Sequence, residues 1–142
     1  MHTYTLLIVE DEILPAMSLE AGLTEAGYQV MDLTSRPEEA LAAARERKPD
    51  LALVNIKLHG RNDGIALAFD LKAMGIPVLF ISGQPSRAVA ARSVAVGSLA
   101  KPYSVDDMVA AVAYLLARLA GDGSQVRPKD LEVFDEDLPE VA

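Results

Sequence analysis

Short apolar runs rich in branched residues recur along the chain: TLLIV (5–9), YQVMDL (28–33), LALV (51–54), PVLFI (77–81) and a weaker SLA (98–100). Between them lie segments with helical punctuation. That alternation is expected of an α/β architecture, in which parallel strands are covered by helices on both faces.

The punctuation places the helices. A first helix begins near Pro15, since proline suits a first helical turn, and ends at the left-handed cap Gly27. In SRPEEAL the spacing predicts that Ser35 caps the second helix while Glu38 reaches back, and the residue before Pro49 is pushed out of it. The third helix spans Ile65 to Met74. The fourth, in SRAVAARSVAVG, has few large side chains and predicts loose docking. The fifth starts at a Ser104 cap and runs to about Ala120, with Val105, Met108, Val112, Leu115 and Leu119 in one apolar stripe. After Gly121 the pattern is lost: residues 121–142 hold seven acidic against two basic residues. They read as a flexible acidic tail after a domain spanning 1–120. One apolar island, LEVF (131–134), is able to dock on a partner or on the domain itself.

A length of 142 residues suits one domain. The absence of cysteine excludes disulfides and thiolate chemistry. No stretch approaches a membrane span and no signal peptide is apparent, which implies a soluble, cytoplasmic protein. A net charge of −8 argues against nucleic acid as a partner.

In an open parallel sheet, residues just after each strand converge at one rim. Here these are Glu10, Asp11 and Glu12, then Asn55, then Ser82 and Gly83, then Lys101 and Pro102. Clustered carboxylates repel one another unless a cation sits among them, and Mg²⁺ is the hard cation such oxygens suit. A hydroxyl and a lysine opposite would cradle a phosphoryl group. Taken singly, each string has a plainer reading: a solvated acidic loop, a turn asparagine, a surface break. Only their conjunction carries weight.

At LLIVEDE, PDLALVNIKL, VLFISG and AKPY the sequence resembles the receiver domain of bacterial two-component response regulators, over Thr5 to Ala120. The resemblance implies a flavodoxin-like, doubly wound (βα)5 fold with a five-stranded parallel sheet in the order 2-1-3-4-5. It implies a Mg²⁺ site at Glu10, Asp11 and the backbone carbonyl of Lys57, a phosphoacceptor carboxylate at position 55, and Ser82 and Lys101 on the phosphoryl oxygens. It implies a histidine kinase or phosphotransfer protein as donor and a downstream protein target, met by the fourth helix, fifth strand and fifth helix. A receiver is not an enzyme beyond its own phosphotransfer.

Position 55 departs from the pattern. An amide has no anionic oxygen to act as nucleophile, so phosphorylation there is not expected, and Asn55 leaves the metal site one anionic ligand short. Two explanations stand: a natural pseudo-receiver, or a substitution that disables a working acceptor. Ser98 occupies the place, three residues before the lysine, where receivers often carry an aromatic switch. Tyr103 is an aromatic that marks either a partner surface or packing. Asp63, in a glycine-rich turn, is a poor substitute acceptor, and the loop from Leu58 to Gly64 is slightly long for the family. His2 and His59 lack metal-ligand spacing. The readings are then a stand-alone signalling receiver, a phosphorylation-independent binding adaptor of the same fold, or a flavodoxin-like nucleotide binder. The last lacks a glycine-rich phosphate loop after strand one.

Overall fold

Side chains buried on both faces of a strand force a near-continuous apolar run, and three of the runs meet that condition throughout. In the computed structural model, which describes residues 3–61, 63–134 and 138–140, they are β1 (Thr5–Val9), β3 (Leu51–Asn55) and β4 (Val78–Ser82), every residue buried. With β2 (Gln29–Val30) and β5 (Gly97–Ala100) they pair in parallel in the order β2-β1-β3-β4-β5. Five helices alternate with them: α1 (Ile13–Glu25), α2 (Pro37–Glu46), α3 (Asp63–Ala73), α4 (Pro85–Ala90) and α5 (Val105–Leu119).

Because successive strand residues face opposite ways, the sheet makes two cores. Leu7, Val9, Val54 and Phe80 pack with Leu67 and Leu71 of α3 and alanines of α2 and α4. Leu6, Ile8, Leu53 and Ile81 pack with Leu19 and Leu23 of α1 and with Met108, Val112 and Leu115 of α5. The apolar stripe of α5 is realised, and its Ser104 Oγ accepts from the Asp107 N–H at 3.0 Å as the cap.

The structure corrects several expectations. Among the described residues the sheet has six strands: LEVF docks on the domain itself, with β6 (Leu131–Val133) antiparallel to β5. Leu131, Phe134 and Leu138 are buried, so the segment after Gly121 is not simply a flexible tail. At α2, Pro37 shifts the cap by one residue; Glu39, not Glu38, accepts from the N–H groups of Ser35 and Arg36, each at 3.1 Å. The second strand shortens to two residues because it lies at the sheet edge, and α1 starts at Ile13, two residues before Pro15. The fourth helix is one short piece followed by a 3-10 turn at Arg92–Val94, consistent with its lack of large apolar residues. Among the described residues no helix is long and apolar enough to cross a membrane.

One glycine governs how α3 approaches the rim. A Cβ on Gly64 would collide with the Asn55 carbonyl oxygen and lie 2.7 Å from Ile56 Cα, so only glycine lets α3 start against the tip of β3. Gly64→Ala is expected to lower unfolding free energy by about 1–3 kcal/mol, the usual cost of overpacking against backbone. Urea denaturation of the two proteins checks it.

Candidate functional site

The carboxyl ends of β1, β3, β4 and β5 deliver the sequence-predicted residues to one neighbourhood. Glu10 and Asn55 are each 3 % exposed and Ser82 2 %. The Asn55 amide donates from Nδ2 to Glu10 Oε2 at 2.9 Å and to Asp11 Oδ1 at 3.4 Å. On the other side of Asn55 a cavity of about 270 Å³ is lined by Asn55, Lys57, Ser82, Gln84 and Lys101. Ser82 Oγ accepts from the Gln84 N–H at 2.9 Å, which fixes the hydroxyl at the cavity wall. Lys101 is exposed and precedes Pro102 through a cis peptide bond.

The two carboxylates are held differently. Burial pushes the Glu10 carboxyl above its ordinary range, only partly opposed by the Glu12 N–H at 3.3 Å, by Asn55 and by the Lys101 charge. Its second oxygen, Oε1, is buried and has no hydrogen-bond partner among the described residues. For Asp11 burial also pushes upward, but the His59 N–H, donating to Oδ2 at 3.0 Å, and its contact with Glu10 outweigh that and hold it below the usual range. Tyr103 is pushed up to about 12 by burial and by the nearby Glu10 charge.

His59 is the contributor that spacing did not reveal. Leu58 and Arg61 exchange backbone hydrogen bonds at 2.8 and 3.0 Å, closing a two-residue turn. His59 and Gly60 stand at φ 51 and 77, the left-handed pair of a type I′ turn. This small turn aims the His59 amide at Asp11. The ring is exposed, and its Nε2 lies 3.0 Å from the Ser35 carbonyl. Asp63 begins α3 and pairs loosely with Arg61 at 3.8 Å, outside this cluster. Ser98 is buried in β5, between Phe80 of β4 and Glu132 of β6. His2 lies outside the described residues.

Compared with known proteins, residues 6–113 match the response regulator receiver domain. The chain belongs to that family. The receiver is 32 % identical over 116 residues to the transcriptional regulatory protein PdtaR of Mycobacterium tuberculosis, covering 79 % of this chain and 56 % of that protein. It is 34 % identical over 114 residues to the phyllosphere-induced regulator PhyR of Methylorubrum extorquens, covering 78 % and 43 %. It thus spans about half the length of these curated relatives. A crystal structure of NtrX from Brucella abortus superposes with a TM-score of 0.75 at 28 % identity, covering 81 % of this chain and 27 % of that one. A response regulator from Thermotoga maritima shares the fold with a TM-score of 0.72 at 18 % identity, covering 82 % and 99 %. The flavodoxin-like α/β fold implied by the strand-tip strings is therefore that of the family. Receivers generally bind Mg²⁺ at their acidic site and act with histidine kinases or phosphotransfer proteins rather than as enzymes.

The raised Glu10 gives the receiver a pH signature. Above the ordinary glutamate pKa near ~4.3 and up to Glu10's higher folded value, the native protein keeps a proton that the unfolded chain has released. Stability therefore falls as pH rises through that window. Asp11 acts oppositely, adding stability from its depressed folded value up to about 3.9, the ordinary aspartate pKa. In urea denaturation from about pH 4 to 7, the unmodified chain should lose stability as pH rises and Glu10→Gln should flatten that decline.

Proposed function

We propose that this receiver is silent at its acceptor position: residue 55 takes no phosphate, while Ser82 and Lys101 are kept as the groups that would hold phosphoryl oxygens and the Lys57 carbonyl is kept as a metal ligand. The observation that carries the reading is the Asn55 amide nitrogen, which donates to both Glu10 and Asp11. A nucleophile must present a lone pair to phosphorus, and this group instead presents N–H bonds to the acidic pair. In an aspartate form, three carboxylates would meet at the same rim and call for a cation.

The same geometry bears on the metal. The Glu10 and Asp11 carboxylates, the Asn55 amide oxygen and the Lys57 carbonyl are hard oxygen donors of the kind Mg²⁺ takes. When bound, the ion supplies positive charge to phosphoryl oxygens. The orphaned Glu10 Oε1 is in keeping with such a ligand, but the Asn55 N–H groups already neutralise the pair in part. Among the described residues no cluster of three Asp, Glu or His side chains could hold an ion. The receiver should therefore bind Mg²⁺ weakly and signal through shape and protein contact. Exposed Ile13, Leu14 and Met17 on α1, beside the acidic rim, form an apolar surface a protein partner would cover.

The receiver and its Asn55→Asp form, incubated with acetyl phosphate and Mg²⁺ and weighed intact, test the reading. The aspartate form should gain one phosphoryl group and the unmodified chain none. If neither gains one, the fold is serving purely as an adaptor. By calorimetric titration Asn55→Asp should also tighten Mg²⁺ binding by about tenfold or more, the effect of adding one anionic ligand.

A further inference from the structure

The first turns of α1, the loop after β5 and the start of α5 border a cavity of about 560 Å³, against about 270 Å³ for the one beside Asn55. A Cβ on Gly22 would collide with Val105 Cγ1, so α1 and α5 touch there, and the cavity lies between that contact and the acidic rim. Ser18 of α1 stands in its wall, a short side chain where a larger one would fill the gap. The volume falls in the range of roughly 300–1,000 Å³ typical of small-molecule sites.

The wall has two characters. Leu19, Pro102, Val105 and the Tyr103 ring supply apolar surface, and the polar part holds two carboxylates, Glu10 and Glu12, against one ammonium, Lys101. Glu10 is the side chain that calls for a partner. Its Oε2 accepts from the Glu12 N–H and from the Asn55 amide, whereas Oε1 is buried and has no hydrogen-bond partner among the described residues. A buried acceptor left unpaired is costly, and a donor entering beside Glu10 removes that cost. Tyr103 is half-buried and close enough to feel the Glu10 charge, so a cation drawn to Glu10 comes beside an aromatic ring.

We propose that this cavity is a binding site for a small aromatic amine, its ammonium hydrogen-bonded to Glu10 and its ring against Leu19, Val105 and Tyr103. The two carboxylates disfavour an anion, and a ring without a donor leaves Glu10 Oε1 unpaired. A lysine side chain of a partner protein carries the same ammonium but has no ring for the apolar wall. The oxygen involved is the one that Asn55 does not touch, so the site does not depend on whether residue 55 can take phosphate.

Tryptamine, tryptophol and indoleacetate share one ring system and differ in the charge of its side chain. Each is titrated into the full chain in EDTA, so that no metal competes for Glu10, and followed by backbone amide chemical shifts. Tryptamine should bind at about millimolar, as a ligand of this size allows, and about tenfold tighter than tryptophol, with no binding of the acid. The shifts should centre on Ser18, Leu19, Tyr103 and Val105. Ser18→Trp should fill the cavity and abolish binding. Tyr103→Leu should weaken it about threefold where Tyr103→Phe does not, and Glu10→Gln should erase the preference for the amine over the alcohol. A cooperative thermal transition shows that each variant is folded, and the Tyr103 pair decides the matter if Ser18→Trp is not. No binding of tryptamine, equal binding of amine and alcohol, shifts scattered over the acidic surface, or binding indifferent to a folded Ser18→Trp would overturn the proposal. So would tighter binding of lysine blocked at its α-amine and carboxyl, which would make the occupant a side chain of a partner protein.

Discussion

The short bridge from the Asn55 amide to the Glu10 and Asp11 carboxylates holds the tips of β1 and β3 together at the rim. Two acids beside a buried strand end would repel each other and lose hydration. An amide whose two N–H groups reach both of them relieves part of that. The same contact commits the residue-55 side chain to donation toward the acidic pair.

Around this bridge the loops are held by backbone rather than by side chains. The His59 N–H steadies Asp11, the Glu12 N–H steadies Glu10, and the Gln84 N–H steadies Ser82. Gly64 lets α3 start close enough to brace the end of β3. Such main-chain donors lose no side-chain entropy when they bind, which suits a site whose polar groups sit at the end of an apolar sheet.

What the sequence made legible follows from periodicity. β1, β3 and β4 were readable because central parallel strands are apolar throughout, and their last residues then named Glu10, Asn55 and Ser82. Lys101 followed from the weaker SLA run. β6 was not readable as a strand, since three residues inside an acidic stretch have no local preference strong enough; its stability comes from long-range burial of Leu131 and Phe134. His59 escaped notice because its contribution is a backbone N–H oriented by a positive φ, a conformation that histidine does not advertise. The α2 cap moved by one residue because boundaries are set by which carboxylate can curl back past Pro37, and Glu38 and Glu39 are alike in composition.

The two margins of the sheet are finished by different means. β2 contributes only Gln29 and Val30 to its side, so a neighbouring molecule finds almost no ladder to extend there. On the opposite side β6 pairs with β5. A sheet whose outermost strands are two and three residues long offers a second molecule little ladder to extend, and loosening β6 would bare the longer edge of β5.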